Sequence, residues 1–197
     1  MTLTASLVGV TSLILNAKGN PIGQVLMLVF SALYGVISYS YAYYGEMITY
    51  LGLTAPMAVL ALVSWLRNPY EGNQAEVAVN RIGRREVGLM LLLTAAVTAV
   101  FYYILRALGT ANLPVSTLSV TTSFLAVYLT FRRSPYFALA YAANDIVLIL
   151  MWAVAAFCDS SYVSVTVCFA AFLVNDIYGF ISWRRMERRQ RDSEYSS

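Results

Sequence analysis

The stretch PYFALAYAANDIVLILMWAVAAF, residues 135–157, carries a single charged side chain, Asp145. Because the hydrocarbon core of a bilayer takes about 20 apolar residues per helix, this stretch predicts a membrane-spanning helix. One other charged residue, Asp176, lies equally deep in an apolar stretch, and each aspartate follows an asparagine, Asn144 or Asn175. An ionisable group inside lipid is costly, so the two Asn-Asp pairs indicate a functional site.

The rest of the chain repeats this apolar pattern. Of its 197 residues, 59% are hydrophobic and 12% are charged, and the charges fall almost wholly between long apolar runs. We predict an all-α membrane protein with seven transmembrane helices: Leu3 to Ala17, Pro21 to Tyr41, Met47 to Trp65, Val87 to Leu108, Leu113 to Phe131, Pro135 to Phe157 and Tyr162 to Trp183. The first lacks a basic leader and a small-residue cleavage site, so it is interpreted as a span and not as a cleaved signal.

The basic side chains indicate the orientation, since lysine and arginine concentrate in cytoplasmic loops. With the N-terminus outside, all of the 13 basic residues except Arg106 fall on the inner side. The sequence therefore predicts an N-out, C-in bundle. We interpret the arginine-rich C-terminal end as contacting membrane lipids, with no role in binding nucleic acid.

Missing residue types exclude several classes of function. The chain has no histidine, which removes histidine proton relays, Ser-His nucleophiles and most zinc sites. Its only lysine, Lys18, lies in a predicted loop, so a retinal Schiff base is excluded as well. Cys158 and Cys168 fall at different depths of neighbouring spans, which argues against a disulfide. We predict neither an enzyme nor a cofactor.

Two sets of landmarks indicate an internal repeat. A basic turn precedes Pro21 and again Pro135, 114 residues later, and a Ser-Trp pair closes a span at Trp65 and again at Trp183, 118 residues later. Two units of three spans separated by one extra span form a 3+1+3 parallel repeat, the SWEET-like arrangement, with a substrate site near the midplane. The predicted parts are 1–66, the first triple-helix unit; 67–108, a cytosolic loop and linker helix; 109–184, the second unit; and 185–197, a polar cytosolic tail.

Depth and helical phase select candidate binding residues. Asn144 and Asn175 lie about 13 Å and about 12 Å from the cytoplasmic ends of their helices, so the two Asn-Asp pairs are level. Residues that share their faces or their layer complete the predicted substrate-binding set: Asn144, Asp145, Asn175, Asp176, Tyr178, Tyr141, Phe137 and Ser31. The alternative is that the asparagines and aspartates only join helices by hydrogen bonds.

The remaining aromatic residues have a simpler interpretation. Trp65 and Trp183 are predicted to anchor helix ends at the membrane interface, and Tyr39, Tyr41, Tyr43 and Tyr44 are predicted to form the outer aromatic belt.

Several motifs resemble the PnuC family of bacterial vitamin transporters. They are the turn AKGNPIG at 17–23, the LYG at 33–35, the LTFRR turn at 129–133, and Tyr178-Gly179 followed by Trp183. The resemblance implies a 3+1+3 bundle in the bacterial cytoplasmic membrane, a homotrimer, facilitated diffusion of nicotinamide riboside, and a cytosolic kinase that traps the nucleoside. It also makes Asn144 the counterpart of a family asparagine. The chain departs from the family where a Trp-x-x-Trp pair is common and here reads Phe137 and Ala140.

The charge pattern narrows the cargo further. Arg106, two residues from the outer end of the fourth predicted span, is the only basic side chain inside a span, so a phosphate dianion at the midplane is a poor fit and an uncharged or cationic nucleoside fits better. Asn144 and Asn175 are predicted to hydrogen-bond the ribose or the amide, Phe137, Tyr141 and Tyr178 to stack on the ring, and the aspartates to offset the pyridinium charge.

Three alternatives stay open for the function. One is a carrier for a related vitamin or nucleoside, such as thiamine, riboflavin or a deoxynucleoside. The second is a proton-coupled carrier that uses Asp145 or Asp176, and the third is a signalling or scaffold protein.

Overall fold

A computed structural model describes residues 2–41, 43–110 and 112–194 as a helical bundle with one small hairpin. The helices are α1 (Thr2–Ala17), α2 (Ile22–Ser40), α3 (Tyr44–Thr49), α4 (Ala55–Leu66), α5 (Arg84–Ala107), α6 (Leu113–Phe131), α7 (Phe137–Ala156) and α8 (Val163–Glu194). A π-helical turn, Tyr50–Thr54, joins α3 to α4, and a 3₁₀ turn, Ser160–Tyr162, precedes α8. The hairpin strands are β1 (Pro69–Tyr70) and β2 (Asn73–Val77).

Six helical stretches of the described residues are long and apolar enough to cross a membrane: Ile22–Ser40, Tyr44–Leu66, Arg84–Ala107, Leu113–Phe131, Phe137–Ala156 and Ser160–Ser193. The predicted all-helical membrane protein is thereby confirmed. The first predicted span is also an apolar helix, but Leu3–Ala17 is shorter than the other six.

The helices pack as two groups that touch along two seams. α1 packs on α2 and α2 on α4, while α6 packs on α7 and α7 on α8. Contacts between α1 and α8 and between α4 and α6 join the groups, and α5 lies outside them against α6. Most of α5 is exposed, with Leu91, Leu92 and Val100 on its surface. Such apolar exposure suits a helix that faces lipid.

The same backbone turn follows α1 and α6. Gly19 and Arg133 both adopt a left-handed conformation, with φ of 69° and 56°. In each turn the next residue donates its N–H to a leucine carbonyl five residues back, from Asn20 to Leu15 at 3.0 Å and from Ser134 to Leu129 at 3.0 Å. This is the hydrogen bond that closes a helix C-terminus in a Schellman motif. The two turns are separated by 114 residues, the spacing of Pro21 and Pro135.

Two tryptophans tie the helix groups together at these turns. The Trp65 indole at the end of α4 donates to the carbonyl of Thr130 on α6 at 2.9 Å. The Trp183 indole on α8 donates to the carbonyl of Asn16 on α1 at 2.7 Å. Both indoles are fully buried and their ring centroids lie 5.4 Å apart. The prediction that they anchor helix ends at the membrane interface was wrong, because their N–H groups cap carbonyls inside the bundle.

Of the four tyrosines predicted to form the outer aromatic belt, two are exposed and two are packed inside the bundle. Tyr39 and Tyr44 are exposed, whereas Tyr41 and Tyr43 pack on Trp152 with ring centroids 6.3 Å and 4.4 Å from it.

The segment predicted as a cytosolic connector is an ordered hairpin. Its two turn residues, Glu71 and Gly72, have positive φ angles of 47° and 77°, the combination that a two-residue hairpin turn requires. Val77 at its end is fully buried and donates its N–H to the carbonyl of Gly19 at 3.0 Å. The hairpin therefore packs on the α1–α2 turn.

The helix α8 extends beyond the predicted end of its span. The sequence predicted a polar tail from residue 185, but α8 continues to Glu194. Its buried Gln190 donates to the carbonyl of Val77 at 3.1 Å and accepts from the N–H of Val79 at 2.8 Å. Contacts with the hairpin thus keep these residues helical.

Proline accounts for the irregular turn between α3 and α4. Pro56 has no N–H to donate to the carbonyl of Gly52, and its ring crowds that carbonyl. The preceding residues, Tyr50–Thr54, widen into a π-helical turn, a feature that often marks functional sites.

A close approach between α1 and α2 gives a test of this packing. A Cβ atom added at Gly23 would lie 2.2 Å from Oδ1 and 2.8 Å from the backbone nitrogen of Asn16. Gly23→Ala is therefore expected to cost about 1–3 kcal/mol of stability and to lower the thermal midpoint in detergent by several degrees. The matched control is Gly88→Ala on α5, where an added Cβ meets nothing within 4 Å. Equal midpoints for the two variants would contradict this packing.

Candidate functional site

An internal cavity lies where the two helix groups face each other. Its walls come from α1, α2, the π-helical turn, α6, α7 and α8. The lining residues are Leu13, Met27, Phe30, Tyr50, Thr54, Ser123, Tyr141, Asn144, Asp145, Phe172 and Asp176. No basic side chain is among these described residues, so the polar part of the lining consists of hydroxyl, amide and carboxyl groups.

The cavity is small in this conformation. Its volume of about 20 Å³ suffices for about one water molecule, which needs roughly 10–15 Å³ on this measure. Sites for drug-sized ligands usually measure about 300–1,000 Å³. A ligand of that size can enter only after the helices around the cavity have moved.

The carbonyl oxygen of Asn144 is held by hydroxyl groups of α6. Thr122 donates to it at 2.8 Å, Ser123 at 3.1 Å and Ser119 at 3.4 Å. These contacts agree with the alternative that the asparagine joins two helices. They also fix the orientation of the Asn144 amide, and they leave its NH₂ group as the part that can serve a ligand.

Asp145 and Asp176 bring two carboxyl groups together between α7 and α8. They lie close enough to share a hydrogen bond and are 3% and 4% exposed. The Oδ2 atom of Asp145 accepts no hydrogen bond from the described residues. Two negative charges in contact in a dry site repel each other, so the pair must share a proton or face a cation.

Aromatic rings make up much of the remaining wall. Phe30 contacts Phe172 edge-on at 5.3 Å between centroids and Tyr50 edge-on at 5.8 Å. Tyr141 lies on the side of α7 that also carries Asp145. Rings beside carboxyl groups form a surface suited to a flat cation.

Of the eight predicted binding residues, four line this cavity: Asn144, Asp145, Asp176 and Tyr141. The other four lie elsewhere. Tyr178 is half-exposed and lines a cleft near Lys18 and Arg185, and Asn175 lies beside Asp176 but not in the wall of the cavity.

The remaining two predicted residues are buried in the bundle without reaching the cavity. Phe137 packs edge-on against Trp183 at 4.9 Å and against Tyr141 at 6.2 Å. Ser31 is fully buried and its hydroxyl has no hydrogen-bond partner among the described residues.

Sequence reasoning missed the contribution of the first helix group. Tyr50 and Thr54 reach the cavity because the π-helical turn directs them there, and hydropathy carries no signal of that turn. It also missed Glu46, which is 1% exposed. The third predicted span began at Met47, one residue after this glutamate, and extending that span by one helical turn would have included it.

No metal site accompanies these carboxyl groups. Within residues 2–41, 43–110 and 112–194, no three histidine, cysteine, aspartate or glutamate side chains converge as metal ligands. The polar groups that line the cavity are hydroxyl, amide and carboxyl groups beside aromatic rings.

Comparison with known proteins identifies the family. The family described as nicotinamide mononucleotide transporter matches residues 1–185. The nicotinamide riboside transporter PnuC of Neisseria mucosa is 27% identical over 190 residues, covering 94% of this chain and 72% of the relative. The transporter of the same name from Haemophilus influenzae is 20% identical, covering 96% of this chain and 81% of the relative.

A solved structure has the same fold. The crystal structure of the vitamin B3 transporter PnuC superposes with a TM-score of 0.84 at 24% identity, over 96% of this chain and 82% of that one. The resemblance noted in the sequence is confirmed. The chain belongs to the nicotinamide mononucleotide transporter family, the PnuC family, and is a multi-pass transporter of the bacterial inner membrane.

Proposed function

We propose that this chain takes up nicotinamide riboside, an NAD precursor, by facilitated diffusion through the cavity around Asn144. The observation that carries the proposal is the charge of the lining, which includes two carboxyl groups and no basic group among the described residues. The pyridinium ring of nicotinamide riboside is positively charged, so it gains attraction there. Both relatives named above are nicotinamide riboside transporters.

The other lining groups have roles that follow from their chemistry. The Asn144 NH₂ group donates to a ribose hydroxyl or to the carboxamide oxygen of the substrate. Tyr141, Phe30 and Phe172 contact the flat ring, and Phe137 supports Tyr141 from behind. The proposed site excludes three of the predicted residues because they do not line the cavity: Asn175, Tyr178 and Ser31.

The two helix groups supply a mechanism. The repeated turns at Gly19 and Arg133 and the crossed bonds of Trp65 and Trp183 support a 3+1+3 parallel repeat, with residues 1–66 and 109–184 as its units. In an N-out, C-in orientation both tryptophans lie on the cytoplasmic side. Rocking of one unit against the other opens the cavity to each side of the membrane in turn.

Assembly and metabolic context complete the proposal. By family resemblance the chain forms a homotrimer in contact with membrane lipids, and a cytosolic nucleoside kinase removes the transported substrate. Carriage of thiamine, riboflavin or a deoxynucleoside is the alternative within the same fold, and competition of each with labelled nicotinamide riboside separates these cargoes.

Two asparagines provide a matched test of the site. In proteoliposomes, Asn144→Ala is expected to lower uptake of labelled nicotinamide riboside by about fivefold or more, since a buried acceptor of the substrate left without its donor costs about 1–3 kcal/mol. Asn175→Ala, next to the cavity but not in its wall, is expected to keep uptake near the wild-type level. Thermal midpoints of both variants show whether they fold, and undiminished uptake by Asn144→Ala would rule out the assigned site.

Phosphate offers a test of charge selection. The mononucleotide carries a phosphate that would face Asp145 and Asp176 with no arginine or lysine to bind it. Nicotinamide mononucleotide is therefore expected to compete with labelled nicotinamide riboside far more weakly than the unlabelled riboside does. Equal competition by the two compounds would contradict the electrostatic argument.

A proton-coupled carrier is the second candidate, and the contact between Asp145 and Asp176 favours it. A carboxyl pair that shares one proton can exchange that proton for a cation. For facilitated diffusion we expect initial uptake to stay the same when a protonophore collapses the pH gradient. A drop in uptake that disappears in an Asp145→Asn variant would instead assign proton coupling to the pair.

A further inference from the structure

A third carboxyl group lies inside the bundle, outside the cavity described above. Glu46 in the first turn of α3 is 1% exposed, and neither of its carboxyl oxygens accepts a hydrogen bond from the described residues. No lysine or arginine of those residues lies within ion-pair distance of it. Burial of a carboxyl without a partner costs several kcal/mol, so its place in the fold requires an explanation.

Aromatic side chains surround this carboxyl. Tyr43 directly precedes α3, Tyr50 follows Glu46 by one helical turn, and α2, which carries Tyr34, packs on α3. The rings of Tyr34 and Tyr50 meet edge-on at 4.4 Å between centroids, and Tyr43 lies 4.4 Å from Trp152. The Trp152 indole donates to the Tyr34 hydroxyl at 2.9 Å, which fixes both side chains. A cluster of electron-rich aromatic side chains is an arrangement that binds organic cations.

This group adjoins the Asn144 cavity. Ser119 on α6 faces Glu46, although not in hydrogen-bond geometry, and its hydroxyl also lies 3.4 Å from the carbonyl oxygen of Asn144. Tyr50 belongs to the rings around Glu46 and to the cavity lining as well. Glu46 lies near the end of the third span that is opposite Trp65, so it is displaced from the cavity toward the outer side in the proposed orientation.

We propose that Glu46, with Tyr34, Tyr43, Tyr50 and Trp152, forms a second, outer binding site for an aromatic cation, which the substrate occupies before it reaches Asn144. This rests on the proposed uptake of nicotinamide riboside and adds the first station on its path. The carboxylate supplies the charge that a pyridinium ring needs after it leaves water, and the rings supply a flat apolar surface. Ser119 and Tyr50 then form the passage to the inner cavity.

An isosteric change at Glu46 separates charge recognition from folding. Glu46→Gln keeps the shape of the side chain and removes the buried charge, so the protein is expected to fold with a thermal midpoint at or above that of the wild type. The half-saturation concentration for nicotinamide riboside uptake is expected to rise by at least about tenfold. For reduced nicotinamide riboside, whose ring is uncharged, it is expected to stay the same.

Asp159 offers a matched control for the loss of one negative charge. It is an exposed carboxylate just before the 3₁₀ turn and accepts a hydrogen bond from the backbone N–H of Ser161. This hydrogen bond holds the pKa of Asp159 below its usual range, so the carboxylate is charged at neutral pH. Asp159→Asn is expected to leave uptake of both ribosides unchanged. A Glu46→Gln variant that transports the cationic riboside like the wild type, or that loses both ribosides equally, overturns the outer cation site.

Simple pyridinium probes provide a second test of the site, by binding as well as by transport. The cation 1-methylnicotinamide is expected to inhibit uptake and to raise the thermal midpoint of the purified protein, while uncharged nicotinamide does so much less. Equal effects of these two probes overturn the outer site. If the protein takes up no nicotinamide riboside but a stabilisation by 1-methylnicotinamide is lost in Glu46→Gln, the proposed function fails and the cation site stands.

Discussion

Negative charge without a basic partner is the constraint around which this bundle is arranged. A carboxyl group in the interior of a membrane protein is not hydrated by bulk water. It therefore needs a proton, hydrogen-bond donors or a cation. Glu46, Asp145 and Asp176 all lie in the interior of the described bundle, while none of the ion pairs in that part of the chain involves them. The five ion pairs of the described residues form in the segment 76–86, at the end of α6 and in the part of α8 that follows Trp183. In the proposed function, the cationic substrate supplies the positive charge that these carboxyl groups lack.

Hydrogen bonds to main-chain carbonyls hold this interior together at one end. Trp65 and Trp183 each reach from one helix group to a carbonyl at the last turn of a helix in the other. Each carbonyl also accepts the N–H of the left-handed turn residue, from Gly19 to Asn16 and from Arg133 to Thr130, so the indole occupies its second acceptor position. Each helix group donates one of the two hydrogen bonds and accepts the other, so the two groups contribute equally to holding this end of the bundle closed. In the proposed transport cycle, opening toward the cytoplasm breaks this crossed pair.

The sequence predicted the class of fold and about half of the site, and the misses have physical causes. Counting residues placed Asn144 and Asp176 at one depth, and both line the cavity. Counting residues gives the depth of a side chain but not the direction in which it points from the helix. Asn175 and Asp176 are adjacent and point about 100° apart, so only Asp176 lines the cavity. Glu46 was missed because hydropathy marks where apolar residues begin, whereas its burial comes from the packing of α3 on α2 and α6. Trp65 and Trp183 were misplaced because composition does not distinguish an indole in headgroups from one on a buried carbonyl.

The irregular turn before Pro56 explains how a cavity for about one water molecule could admit a nucleoside. A regular helix resists local deformation because each residue is held by hydrogen bonds to both neighbouring turns. In Tyr50–Thr54 that pattern is already interrupted, since Pro56 cannot donate and the turn is widened. Tyr50 belongs to this turn, lines the cavity and lies one helical turn from Glu46. In the proposed path of the substrate, the side chain next to both sites is therefore carried by a backbone segment that can shift at low cost.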